Sequence, residues 1–355
     1  MPLAPLSLAI VCNAFPAGQQ ARALGIWAGI SAVALGIGPL AGGALVDVDW
    51  RLIFWINLPI AAIGIAITAL ATEESTDPGS GRRIDLSGLL ALGAGLTAVV
   101  LALVQARVWG AGPTIVLALF GFACLYAFWR IEHRVAEPIV DFSLFRNGPY
   151  FGASAAAFAL VGAYWSVMFF QSQYLQDVRG RSAVLSGLMI LPITVPMIFI
   201  SPFSGRLIAR FGARRLMTLG MALGAVGLLA LTQIDAGSSY TLLLAGYLPF
   251  GIALGLVYAP MSTAAMAAMP AEKVGIASGV LAMDRVMAGT VALAVTGAVF
   301  HALLGDDGSF ADSVAGSTWV LVALCTVGTI LTWAFVRNSG RPAPEPHAHH
   351  RHFHL

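Results

Sequence analysis

Charge is what this sequence has least of. Only 10% of its 355 residues are Asp, Glu, Lys or Arg, against roughly 25% in soluble domains, too few to cover a water-facing surface. A net charge of +2 excludes the basic face that nucleic acid requires. The three cysteines, Cys12, Cys124 and Cys325, all sit inside apolar runs. A disulfide framework or a zinc site would place them in loops, so no metal and no cofactor are expected. Catalytic signatures are missing too. There is no G-x-x-x-x-G-K-[ST], no H-E-x-x-H, no G-x-S-x-G and no pair of carboxylates within one apolar run, which argues against an ATP-driven machine and an intramembrane enzyme. Met1–Cys12 has no positive residue before its apolar stretch, so it reads as part of a helix rather than a secretion signal.

What is there is hydrophobic length. Hydrophobic residues make up 58% of the chain and the mean hydropathy is +0.84. Ten apolar stretches fall at Ala23–Val46, Ile53–Ala71, Leu86–Ala106, Thr114–Ile131, Tyr150–Gln173, Val184–Ser204, Leu216–Ile234, Tyr240–Met261, Ile276–Ala302 and Trp319–Val336. Each matches the ~20 residues that carry a helix across ~30 Å of hydrocarbon. Backbone polar groups must be satisfied within each span, which selects helices. The expected fold class is an all-α integral membrane protein of about ten complete transmembrane helices, with a partial helix before them.

Basic residues set the expected orientation. Arg51, Arg107, Arg179 and Arg181 fall on one side, Arg285 lies within a span, and the remaining Lys and Arg of the chain all fall on the other side. That basic side is expected to be cytoplasmic, and the C-terminus with it. Trp50, Trp55, Trp109 and Trp319 are expected at the outer ends, Trp27, Trp129 and Trp333 at the inner ends, and Trp165 at depth. The connection Glu132–Pro149 reads as a boundary. The organisation expected is 1–72, a stub plus two helices; 73–149, two helices and a linker; 150–336, a complete six-helix bundle; and 337–355, a disordered His-rich tail that needs no metal.

Residues 34–43, Ala-Leu-Gly-Ile-Gly-Pro-Leu-Ala-Gly-Gly, resemble the antiporter motif G-x-x-x-G-P-x-x-G-G of the major facilitator superfamily, matched at Gly38, Pro39, Gly42 and Gly43 with Ala34 at the first glycine. Glycines allow close helix approach, and proline removes a backbone bond. The segment Gly205-Arg206-Leu-Ile-Ala209-Arg210-Phe-Gly212-Ala-Arg214-Arg215 is similar to the superfamily's cytoplasmic gating loop, with Ala209 where the family carries Asp. Residues 49–60 resemble the W-R-x-I-F-x-I-N-x-P-I signature of the fourteen-span drug:proton antiporters. The likeness extends to about Arg337. It implies that Leu86–Ala106 and Thr114–Ile131 are two extra helices between the halves. It also implies that three and a half helices of the family pattern are missing, leaving room for an absent N-terminal half or a complementing chain.

The function implied by this resemblance is multidrug efflux. It would be proton-coupled export of lipophilic, cationic compounds by alternating access in the cell membrane, with the bilayer, a small molecule and protons as partners. An exporter of a lipid or metabolite, and a non-transporting remnant, remain alternatives. An ionisable group within the span is costly enough to suggest function, which singles out Asp284, with Arg285 beside it. Adjacent helix residues point ~100° apart, so these two face different neighbours. Pocket candidates are the apolar and aromatic side chains with polar handles: Tyr164, Trp165, Phe169, Gln171, Phe199, Phe250 and Tyr258.

Overall fold

The computed structural model describes residues 30, 33–34, 37–71, 85–135, 139–270, 273–305 and 308–337. The expected stub, the segment 72–84, Trp27 and the His-rich tail lie outside the described residues. The elements are α1 Ile37–Val48, α2 Leu52–Leu70, α3 Leu86–Trp109, α4 Ala111–Glu132, α5 Gly148–Gln173, α6 Ala183–Ile200, α7 Ser204–Phe211, α8 Ala213–Leu231, α9 Tyr240–Ala267, α10 Val274–Leu304 and α11 Phe310–Phe335. No strand occurs among the described residues. Counting Ala183–Phe211 as one, nine described segments are long and apolar enough to cross a membrane. The helix α1 is the described part of the first expected span. This is a multi-pass helical bundle.

Polar residues start the helices where backbone N–H groups would otherwise be orphaned. Asp85 accepts from Gly88 N at 2.9 Å, Asn147 from Tyr150 N at 3.4 Å, and Ser182 from Leu185 N at 3.2 Å. Hydrogen bonds hold the Asp85 carboxyl below the usual carboxylate range, that from the Ser87 hydroxyl foremost. In the connection before α5, Lys273 Nζ reaches Asp141 Oδ2 at 3.1 Å. Burial pushes the Asp141 carboxyl up, but hydrogen bonds from Ser143 and Lys273 outweigh it and leave the group lowered. A lowered carboxylate contributes stability above its unfolded pKa and loses it as pH falls through the folded one, so this clip holds at neutral pH.

The helix α5 is the axis of the bundle, packed against α9, α10 and α11, while α8 packs on α9 and α11, and α6 on α9. The helices α3 and α4 pair, and α3 lies along α10. By contrast α2 is exposed along its length. Tyrosine phenols join the helices: Tyr174 donates to Asp235 O at 2.6 Å, Tyr240 to Met189 O at 3.0 Å, and Tyr150 to Ala277 O at 2.9 Å. Each ring stays apolar while its hydroxyl is satisfied.

One boundary differs from the expectation. The helix α11 begins at Phe310, so Trp319 lies about 13 Å along it at 1.5 Å per residue, not at its outer end. Its polar first half stays helical because the hydroxyls fold back. Ser313 donates to Ser309 O at 2.8 Å and Thr318 to Val314 O at 2.7 Å, satisfying themselves on the helix's own carbonyls.

Candidate functional site

The glycine-rich segment of α1 meets α6. Gly43 is buried, and a Cβ there would fall on the Ala183 carbonyl; one on Gly187 would fall on the Pro39 carbonyl. Only residues without side chains permit two backbones this close. Gly38 and Gly42 have open space where a Cβ would stand. At the same end Asp47 accepts from Ala183 N at 3.2 Å and Val184 N at 3.4 Å. The last turn of α1 thus places a carboxylate on the positive N-terminus of α6.

The loop motif forms α7, an amphipathic turn between α6 and α8. Gly205 is exposed, and the chain reverses at Gly212, whose φ is +80°. Its arginines lie over aromatic rings: Arg206 5.9 Å from Phe203, Arg210 5.3 Å from Phe211 and Arg214 5.1 Å from Trp333. Arg215 is exposed.

A cavity of about 1050 Å³ lies between α5, α9 and α10, with Val100 and Val104 of α3 across from them. Trp165, Phe169, Tyr258 and Arg285 all line it. Arg285, Gly289 and Leu293 recur at four-residue spacing and share one face of α10. Gly289 leaves the space against which the Trp165 indole lies. The Arg285 guanidinium stands 4.8 Å from the Tyr258 ring centroid and donates to the Ser262 hydroxyl. Asp177 and His301 line the far end of the cavity.

The other predicted residues are placed elsewhere. Phe250 and Tyr164 are buried in the packed interior of the bundle. Gln171 is buried too, and its Oε1 accepts from the Tyr247 hydroxyl at 2.7 Å. Phe199 is exposed on α6. Asp284 is not among the residues lining the cavity; its Oδ2 is buried with no hydrogen-bond partner among the described residues. Other side chains lining the cavity, Val100, Val104, Phe170, Asp177, Phe300 and His301 among them, were left unmarked by the sequence, as was Ser262. Nothing in the apolar pattern of α3 distinguishes the valines. A serine in a span is common, and only its neighbour shows what it holds.

The Major Facilitator Superfamily matches residues 2–292. Similar proteins include the multidrug resistance protein Stp of Mycobacterium tuberculosis, 37% identical over 302 residues, covering 84% of this chain and 56% of that protein. The tetracenomycin C resistance and export protein of Streptomyces glaucescens is 29% identical, over 85% of this chain and 57% of its own length. The methylenomycin A resistance protein of Streptomyces coelicolor is 31% identical, over 84% and 63% respectively. The chain thus spans a little over half the length of the relatives it matches. With the helical bundle, the glycine contact of α1 on α6 and the match over most of its residues, the chain belongs to the major facilitator superfamily, a family of transporters rather than enzymes.

Proposed function

We propose that this chain serves proton-coupled efflux of lipophilic drugs or related small molecules across the cell membrane, by alternating access. The observation that carries the reading is the cavity, large, apolar and aromatic with few polar groups, as sites for small organic molecules are. The printed functions of the relatives, multidrug resistance and antibiotic export, support the same substrate class. The glycine contact between α1 and α6 supports alternating access, because closely apposed, smooth helices can rock against each other with little side-chain rearrangement. No G-x-x-x-x-G-K-[ST] occurs, so an ion gradient is the energy source proposed, with Asp284 as the group that carries the proton. The cationic substrate class implied by the resemblance is not carried into this proposal, because Arg285 lines the cavity and Asp284 does not.

Energised membrane vesicles carrying the chain are expected to accumulate a fluorescent drug, and a protonophore is expected to abolish the accumulation. Accumulation that persists without a proton gradient refutes the coupling. The basic end of the bundle is proposed to be cytoplasmic. With the three native cysteines replaced by alanine, a membrane-impermeant maleimide is expected to spare Ala209→Cys in intact cells and to label it after permeabilisation. Labelling in intact cells would invert the topology.

A further inference from the structure

We infer that the cavity takes an aromatic anion, whose oxygen is bonded by Arg285 and whose ring lies along Trp165 and Phe169. The inference rests on the cavity being the substrate site and adds the charge of the substrate. Arg285 carries five N–H donors in a fixed fork. The protein uses one nitrogen of that fork on Ser262, and the Tyr258 ring covers one face. Its Nε is buried with no hydrogen-bond partner, and no ion pair to Arg285 occurs among the described residues. Asp284 acts on this charge without forming an ion pair with it, so the cost of a cation held within a membrane span is met only in part. An incoming oxyanion relieves that cost and suits the guanidinium fork.

The charged and titratable groups around the cavity agree with one end for an anion. Arg285 and Tyr258 line one end. Asp177 and His301 line the other: His301 is about 24 Å from Arg285 along α10 at 1.5 Å per residue, and Asp177 follows Phe170, whose ring meets Phe300 beside His301. A carboxylate at that end does not neutralise the guanidinium. Asp284 is not among the residues lining the cavity, so it offers a cationic ligand no contact there. Between the two ends the wall is aromatic. Trp165 lies over Gly289, followed by Phe169, Phe170 and Phe300, with the last two rings 5.2 Å apart. The resulting slot suits flat rings. A lipophilic cation seated on those rings would meet a like charge at Arg285.

The test uses the purified full chain in nanodiscs of neutral lipid and three matched probes: 6-fluoro-2-naphthoate, the neutral 6-fluoro-2-naphthamide and 6-fluoro-2-naphthylmethylammonium. Binding is read by fluorine NMR titration. The naphthoate is expected to bind about tenfold more tightly than the ammonium, the loss typical of a charge-assisted hydrogen bond. Arg285→Gln is expected to remove that preference and leave the amide unchanged, with Arg285→Lys restoring part of it. Trp165→Ala is expected to weaken naphthoate and amide alike. Tighter binding of the ammonium by the wild-type chain overturns the inference without need of any variant. So does an Arg285→Gln chain that keeps the anion preference. If Trp165→Ala still weakens the probes in those cases, the substrate cavity stands and only its charge class fails. If no probe binds, or Trp165→Ala changes nothing, the cavity itself is refuted as the site. Displacement of the naphthoate by a few equivalents of phosphatidylglycerol would assign Arg285 to a lipid headgroup and overturn the inference as well.

Discussion

Replacing Gly251 with leucine is expected to prevent recovery of a folded, monodisperse bundle, the largest loss from any single substitution considered. Gly251 lies in α9 where that helix crosses α6, and a Cβ there would strike the carbonyl oxygens of Pro192 and Ile193. These are backbone atoms, which cannot rotate aside as a side chain can. The sequence explains the closeness. Pro196 sits four residues after Pro192 in α6 and has no N–H, so it leaves the Pro192 carbonyl without its helical donor. A glycine backbone fits against that oxygen and presents a Cα hydrogen to it, a weak but recurrent helix–helix contact. Leucine would force the two helices apart and leave the carbonyl unmet in hydrocarbon. Overpacking alone costs ~1–3 kcal/mol, and the lost carbonyl contact adds to it. The check is thermal unfolding in detergent, with Gly93→Leu as the control, since nothing stands within 4 Å of a Cβ there. The control is expected to unfold near the wild-type temperature, and Gly251→Leu to aggregate or unfold far below it. Equal behaviour would mean that α6 and α9 cross more loosely than described.

Asp284→Asn is expected to abolish gradient-driven drug accumulation while leaving gradient-independent exchange of labelled for unlabelled drug intact. The argument is one of position and cost. Asp284 lies ten residues along α10 from Val274, about 15 Å at 1.5 Å per residue. Its Oδ2 is buried and without a partner among the described residues. The nearby phenol of Tyr150 is already committed to the Ala277 carbonyl. Burial makes an ionised carboxylate costly there and the neighbouring Arg285 charge offsets that only in part, so the group is suited to taking up a proton in one conformation and releasing it in another. Asparagine keeps the size and cannot exchange a proton. Exchange transport needs the two conformations only with substrate bound, so it survives when proton return is blocked. Accumulation at the wild-type level would remove Asp284 from the coupling mechanism. Loss of exchange as well would give it a structural role instead.

Much of the architecture was legible in the chain because lipid imposes a simple rule. A run of about 20 apolar residues must satisfy its own backbone as a helix, and the number and order of spans follow. The family resemblance was legible in short stretches such as 34–43 and 205–215, where glycine, proline and arginine have local backbone or charge roles. The start of α11 was not, because Ser313 and Thr318 look like loop residues until their hydroxyls are seen on the helix's own carbonyls.

The sequence by itself therefore determined the membrane, the helices, the family motifs and the presence of an Asp–Arg pair in a span. Only the tertiary structure decided which of each neighbouring pair faces the cavity. Trp165 lines it while Tyr164 is buried, and Arg285 lines it while Asp284 does not. The physical reason is that a helix in lipid is apolar on every side, whereas a helix at a water boundary carries a polar stripe that marks its outer face. Without that stripe the chain records what each residue is, and the rotation of each helix, set by packing against its neighbours, decides where it points.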